Sequence, residues 1–101
     1  MNKNIMQQAQ RLQAMFIKAQ EELATLTVEG SAGGGAVKAV MNGQGQIQSI
    51  KIAPEVVNPQ EIEMLEDLVL AAVKDAAAKA KEASDKKLEA LTGGIKIPGL
   101  M

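Results

Sequence analysis

Histidine, cysteine, tryptophan and tyrosine are absent from this chain, and Phe16 is its one aromatic residue. Without cysteine, no disulfide framework or thiolate metal site can form, which is typical of a cytosolic protein. Without histidine, both the commonest general base and the commonest zinc ligand are missing. The serines therefore have no imidazole to activate them as nucleophiles. We expect a protein that is not an enzyme and that takes no cofactor, metal or small-molecule substrate.

Long hydrophobic runs and a strong net charge are also missing. No apolar run approaches 18 residues and no signal-peptide pattern is seen, so we expect no membrane association. Eleven basic and twelve acidic residues give a net charge of −1, which lacks the basic excess usual in nucleic-acid binders. The 101 residues predict a single domain, residues 1–101, with a modest core.

Two local patterns resemble binding sites but favour simpler interpretations. The glycine-rich segment 30–35 lacks the Gly-Lys-Ser/Thr ending of a phosphate loop and leads into a strand, so it reads as a hairpin connection. An acidic group surrounds the predicted start of the second helix, where carboxylates favour the helix dipole. Because it lacks metal-ligand spacing, we predict no metal site there. Its members are Glu55, Glu61, Glu63, Glu66 and Asp67.

The first segment, about Asn4 to Leu26, has a heptad pattern typical of a helix that packs against another helix. No acidic residue occurs before Glu21, and three basic residues fall on adjacent outward positions as one positive stripe. Those residues are Lys3, Arg11 and Lys18. The apolar seam consists of Ile5, Ala9, Leu12, Phe16, Ala19, Leu23 and Leu26.

The middle of the chain, residues 27–54, predicts three short antiparallel strands. Apolar and polar residues alternate around Val28, which predicts a first strand before a turn over residues 30–35. A second strand is predicted to start near Val37, and Asn42-Gly43 is a strong signal for a hairpin turn after it. Ile47 breaks the alternation of the third strand, which predicts a β-bulge or a contact on the other face. The fold class is therefore α+β: an N-terminal helix, a three-stranded antiparallel meander and a long C-terminal helix.

The second helix is expected to be capped by Asn58, to begin at Pro59 and to continue to Leu91 before Gly93-Gly94. At about 1.5 Å per residue it spans about 50 Å, whereas a compact 100-residue globule has a radius of gyration near 13 Å. We therefore predict a dimer with projecting helical arms. The sequence leaves open whether the tail, residues 93–101, is ordered.

Lysines flank the apolar stripe of this second helix, with Lys79 and Lys86 on one side and Lys74 and Lys81 on the other. They can lie over the stripe or form i,i+4 pairs, as the spacings Asp75–Lys79 and Glu82–Lys86 allow. They can equally contact phosphates, and the residues alone leave both interpretations open. The acidic residues gather toward the opposite face of the helical wheel: Asp75, Glu82, Asp85 and Glu89.

The whole chain resembles the YbaB/EbfC family of nucleoid-associated proteins. The resemblance begins with Gln7-Gln-Ala-Gln-Arg-Leu-Gln13 and Val28-Glu-Gly30, and continues through Gly34-Gly-Ala-Val-Lys38, Asn42-Gly43 and Ile50-Lys-Ile52. Its most specific part is Glu63-Met-Leu-Glu-Asp-Leu-Val69, and Gly93-Gly94 and Pro98-Gly99 close it.

The resemblance implies a bacterial protein of the cytoplasm and nucleoid. Its subunits would dimerise through the central region, project helical arms like tweezers and bind DNA with little sequence preference. We predict a homodimer that binds duplex DNA mainly through backbone phosphates, and that charge reversal of Lys79, Lys81 and Lys86 weakens binding. Charge geometry alone selects the candidate DNA-binding residues: Lys3, Arg11, Lys18, Lys74, Lys79, Lys81, Lys86 and Lys87.

The alternative is a dimeric adaptor that binds proteins associated with replication and recombination. The alanine-rich helix from Ala71 to Ala83 would then dock on a partner, together with an apolar tail. The slight acidic excess favours this function, whereas the acid-free N-terminal stripe favours DNA. Partners that survive nuclease treatment in a pull-down would support the adaptor. The tail residues are Ile95, Ile97, Leu100 and Met101.

Overall fold

The computed structural model describes residues 3–92 and confirms the α+β fold. Helix α1 covers Lys3–Thr25, and the strands follow as β1 (Thr27–Ala32), β2 (Val37–Asn42) and β3 (Ile47–Ile52). A single 3-10 turn at Pro54–Val56 leads toward the second helix, α2 (Ile62–Thr92). The predicted stop at Gly93-Gly94 and the tail lie outside the described residues.

The three strands form an antiparallel meander in the order β1-β2-β3. The register between β2 and β3 shifts by one residue after Val40. Val40 lies opposite Ser49, but the next residue, Met41, lies opposite Ile47, so Gln48 has no partner on β2. This irregularity confirms the predicted bulge. Because of it, Ile47 lies on the same face of the sheet as Ile50 and Ile52.

The first strand is longer than predicted. Residue Gly30 was expected to begin the turn, but it lies inside β1, opposite Ala39. The turn itself starts at Gly33, and Gly33, Gly34 and Gly35 all have positive φ angles, of 65°, 69° and 94°. Three successive left-handed residues explain why the turn is built from glycine.

Residue Gly30 is a glycine for a different reason, because α2 crosses directly over it. A Cβ atom placed there would lie 2.7 Å from the Cα of Ala76 and would also meet the backbone of Ala72. The buried core sits at this crossing, where α2 packs its small side chains on β1 and β2. Its buried members are Val37, Ala39, Met41, Ala72, Ala76 and Ala80.

The hairpin between β2 and β3 occurs where Asn42-Gly43 predicts it, but the loop is longer than a two-residue turn. The Asn42 side-chain oxygen accepts the backbone N–H groups of Gln44 and Gln46, each at 3.0 Å, and Gly45 supplies the positive φ. Residue Gly43 instead lets α1 approach, because a Cβ atom there would lie 2.9 Å from the Leu23 carbonyl oxygen. The Gly43 N–H donates to that carbonyl at 2.8 Å.

Helix α2 begins three residues later than predicted. The Asn58 side chain accepts the N–H of Gln60 at 3.0 Å, and its carbonyl accepts the N–H of Glu61. Asn58 therefore caps a turn that precedes the helix, and Pro59 lies in that turn. The expected N-cap at Asn58 is wrong because its local turn satisfies the same donors first.

The subunit is elongated, with extents of 69 × 24 × 17 Å and a radius of gyration of 18.9 Å. This exceeds the value near 13 Å of a compact chain of this length. Within α1, only Ala19 and Leu23 of the predicted seam are buried, whereas Ile5 and Leu12 are 62% and 46% exposed. Most of the α1 seam therefore has no packing partner in its own subunit.

A second apolar surface is also uncovered. The side chains of Ile47, Ile50 and Ile52 lie on the sheet face that holds the core, but α2 covers β1 and β2 rather than β3. Each of the three isoleucines is 39–47% exposed. We call these three residues the isoleucine strip. No helix within residues 3–92 is both long and apolar enough to cross a membrane.

Candidate nucleic-acid interface

The positive stripe of α1 lies on an exposed side of the helix. At about 100° per residue, Lys3, Arg11 and Lys18 fall within a sector of about 80°, on the side of the helix opposite the buried Leu23. Their spacing along the axis is about 12 and about 10 Å. All three are exposed, and across residues 3–92 none forms an ion pair.

Four of the predicted lysines on α2 already have acidic partners. Lys79 pairs with Asp75 at 3.3 Å, Lys81 with Asp85 at 2.9 Å and Lys86 with Glu82 at 3.1 Å. The first and third of these confirm the predicted i,i+4 pairs. Lys87 instead pairs with Glu22 of α1.

The pair formed by Asp75 and Lys79 also closes the free edge of β1. The Asp75 carboxylate accepts the N–H of Ser31 at 3.0 Å, and the Lys79 ammonium donates to the Glu29 carbonyl at 2.9 Å. The Ser31 N–H and the nearby lysine hold the pKa of Asp75 below its usual value. Asp75 therefore faces the sheet, contrary to its predicted place on the outer face of the helix.

The pair between Glu22 and Lys87 joins α1 to α2. The hydrogen bond and charge of Lys87 lower the pKa of Glu22, and Lys18 on the same helix contributes in the same direction. Both side chains are about 40% exposed, so water weakens the attraction. The pair therefore connects the two helices but contributes little to the stability of the fold.

Lysine 74 is exposed, and no ion pair in the described part of the chain includes it. Two further lysines outside the predicted set share this property. Lys38 on β2 and Lys51 on β3 are exposed and lie directly opposite each other in the ladder. The alternation of each strand indicates a polar face, but only the bulged register shows that the two lysines are neighbours.

The described residues include no group of three acidic side chains arranged to hold a metal ion. The apolar tail invoked for the adaptor, residues 95–101, lies outside the described part of the chain. What the structure does present is exposed positive charge on α1 and the outer side of the sheet, on a chain whose family-level resemblance is to DNA-binding proteins.

A family model of the YbaB/EbfC DNA-binding family matches residues 1–95. The chain belongs to this family. It is 50% identical to a nucleoid-associated protein of Chloroflexus aurantiacus, over 93% of this chain and 94% of that protein. It is 52% identical to a nucleoid-associated protein of Caldanaerobacter subterraneus subsp. tengcongensis, over 96% of this chain and 87% of that protein.

The fold has a solved relative as well. The crystal structure of an uncharacterized protein from Helicobacter pylori superposes with a TM-score of 0.75 at 18% sequence identity. The match covers 92% of this chain and 97% of the other. At this identity the likeness shows the shared fold alone. The family of the chain rests on the sequence matches, which confirm the family predicted from its motifs.

Proposed function

We propose that this protein of the YbaB/EbfC family is a nucleoid-associated, cytoplasmic protein that binds duplex DNA as a homodimer. Binding runs mainly through backbone phosphates and has little sequence preference. The observation that carries this proposal is the stripe formed by Lys3, Arg11 and Lys18. Family membership and the printed names of the relatives support it.

The α1 stripe is suited to phosphate because none of its three cations is held in an ion pair within residues 3–92. No acidic residue occurs before Glu21, so the first five turns of the helix carry positive charge alone. Lysine and arginine contact phosphate oxygens without reading bases, and contacts of this kind fix position rather than sequence. The chain can therefore bind a polyanion although its net charge is −1.

The α2 lysines have a secondary role in this proposal. Lys74 is exposed and lacks an acidic partner among the described residues, so it can contact phosphate directly. The others must exchange a carboxylate for a phosphate. An exposed ion pair stabilises by only about 0–1 kcal/mol, so the exchange is energetically easy for Lys81 and Lys86. Lys79 would also have to give up its hydrogen bond to the Glu29 carbonyl. These others are Lys79, Lys81, Lys86 and Lys87.

The homodimer is supported by the apolar surface that one subunit leaves uncovered. The isoleucine strip continues the core at Val37 and Met41 past the reach of α2. The α1 seam adds Ile5 and Leu12. Because exposed apolar patches mark association sites, a second copy is the occupant we propose. It would also supply a second α1 stripe for the same duplex.

The test is a fluorescence anisotropy titration of two unrelated duplexes of equal length across a salt series. Each neutralised phosphate contributes about −0.9 to the slope of log K against log salt, so three contacts on α1 predict about −2.7 per subunit. Similar affinities for both duplexes are expected. A large gap between them would mean base or shape readout, and no binding at low salt would reject the proposal.

A further inference from the structure

The sheet has a polar side that faces away from α2, which we call the outer sheet face. Since Val37, Ala39 and Met41 point into the core, alternation directs the intervening residues of β2 outward. The ladder then places their register partners on the same side. The outer sheet face consists of Thr27, Glu29, Ser31, Lys38, Val40, Ser49 and Lys51.

The centre of this face holds two like charges in direct opposition. Lys38 and Lys51 are register partners, which places their Cβ atoms about 5 Å apart. Neither forms an ion pair with an acidic residue in the described range. Like charges directly opposite in a sheet are destabilising, so the fold carries a repulsion that nothing in these residues offsets.

The side chains around Lys38 and Lys51 indicate which kind of ligand could offset the repulsion between them. Ser31 lies opposite Lys38 and Ser49 lies two residues from Lys51, so hydroxyl donors flank the two ammonium groups. Glu29 is the acidic residue of this face, but it stands opposite Val40 and forms no ion pair with any residue that the structure describes. Two cations and two hydroxyls match the oxygens of phosphate. The face has no aromatic side chain on which a base could stack.

We propose that Lys38 and Lys51 form a phosphate-contact site for duplex DNA on the outer sheet face, separate from the α1 stripe. This rests on the proposed function, since it adds a contact surface for the same ligand. A bound phosphate group would neutralise the pair and remove the cross-strand repulsion. The two lysines would therefore contribute to affinity without reading sequence.

The sharpest test is Lys51→Glu, because it changes stability and binding in opposite directions. The substitution converts a repulsive pair into an attractive one across the strands, so the melting temperature is expected to stay constant or rise. DNA affinity is expected to fall several-fold for every duplex, and the salt slope to decrease by about 1 per subunit. A misfolded variant would instead lose both stability and binding.

A second comparison controls for net charge. Lys38→Gln/Lys51→Gln and Lys81→Gln/Lys86→Gln remove the same charge, but the latter pair already has carboxylate partners on α2. Lys38→Gln/Lys51→Gln is expected to decrease the salt slope of DNA binding about twice as much as a single lysine substitution does. Lys81→Gln/Lys86→Gln is expected to decrease it clearly less than the sheet variant. Sedimentation should show the same oligomeric state for both.

The inference is overturned if Lys51→Glu keeps the affinity and salt slope of the unmodified protein, or if it lowers the melting temperature while Lys38→Gln/Lys51→Gln binds normally. Failure of the proposed function gives a different result, because the unmodified protein itself would not bind DNA. If only α1 substitutions weaken binding, the proposed function stands and the outer sheet face is excluded.

Discussion

At the scale of single residues, one group of contacts joins Asp75 and Lys79 of α2 to the edge of β1. The i,i+4 spacing predicts the ion pair, since it depends only on helix geometry. It does not predict the bonds to Ser31 and Glu29, which lie 44 and 50 residues away along the chain. Those bonds depend on where α2 crosses the sheet.

The charge of Asp75 gives a prediction about pH. Its pKa is lowered in the folded state, mainly by the Ser31 N–H and then by Lys79. A lowered pKa means that the stabilisation is present above the unfolded-state value, about 4, and is lost as the pH falls through the folded-state value. Asp75→Asn keeps an oxygen acceptor but removes the charge, so it should lower the melting temperature by a few degrees at pH 7.

Thermal melts of both proteins from pH 7 to pH 2 check this expectation, and the difference should shrink below about pH 4. Asp85→Asn is the matched control, because within residues 3–92 the Asp85 carboxylate pairs with the exposed Lys81 alone and such pairs contribute little. A difference for Asp75→Asn that is unchanged at pH 3 would mean that its charge is not what stabilises the edge.

The glycines of segment 30–35 show a limit of prediction from sequence, because glycine occurs there for two different structural reasons. Left-handed turns attract glycine, and so do crowded backbone crossings. Gly33, Gly34 and Gly35 belong to the first kind, and Gly30 belongs to the second. In sequence they form one glycine-rich segment, which is why β1 was predicted to end too early. Only the position of Ala76 above Gly30 separates the two.

At the scale of elements, α1 has two opposite sides with different partners. The seam was predicted from its heptad spacing, and the structure confirms a helix there and shows that only Ala19 and Leu23 are buried. The spacing reports a helix-packing surface, but it cannot tell whether the packing partner belongs to the same chain. The cation stripe was predicted as DNA-binding, and this stays a prediction.

The two basic groups of the helices give the element-scale prediction. Arg11→Gln/Lys18→Gln removes unpaired cations from α1 and should lower the salt slope by about 2 per subunit, because two phosphate contacts are lost. Lys81→Gln/Lys86→Gln removes the same charge from α2 and should change the slope less. Anisotropy titrations of both variants, at matched salt concentrations, measure the difference. If both variants lose the same amount of salt slope, the α1 and α2 cations contact phosphates equally and the prediction is wrong.

At the scale of the whole molecule, the length of α2 and the elongated shape of the subunit differ from those of a compact monomeric globule. The expected length of the second helix predicted this, because a span of about 50 Å is too long for a compact globule. The observed α2 has 31 residues, and the 69 Å extent of the subunit agrees with the prediction. The isoleucine strip was not predicted as an uncovered surface. Its exposure depends on α2 crossing β1 and β2 instead of β3, which no local pattern encodes.

The corresponding prediction concerns assembly. Ile50 is the middle residue of the isoleucine strip and is 40% exposed in the subunit. Ile50→Asp would bury an unpaired carboxylate in a dimer contact, which is strongly unfavourable. Sedimentation equilibrium should therefore show a shift from dimer to monomer. Leu70→Asp, at a site 52% exposed on α2, is the matched control and should leave the dimer intact.

If Ile50→Asp sediments like the unmodified protein, the second copy does not cover the isoleucine strip. Circular dichroism of the variant at the same concentration separates dissociation from unfolding, since the helices of a dissociated subunit would persist. DNA titration of a monomeric variant should then show about half the salt slope of the dimer, because it presents one α1 stripe instead of two.

The closure of the β1 edge by Asp75 and Lys79 limits how these chains can polymerise. A sheet with two open edges can add strands at both ends, and such edges lead to fibres. Here Asp75 and Lys79 of α2 already bond backbone groups of β1. The β1 edge of the sheet is therefore poorly suited to pairing with a further strand. Edge-to-edge addition through β3 would stop after one round, because the pair would expose only its two closed edges. Growth by this route would end at a two-fold pair, the kind of closed symmetry that keeps an assembly finite.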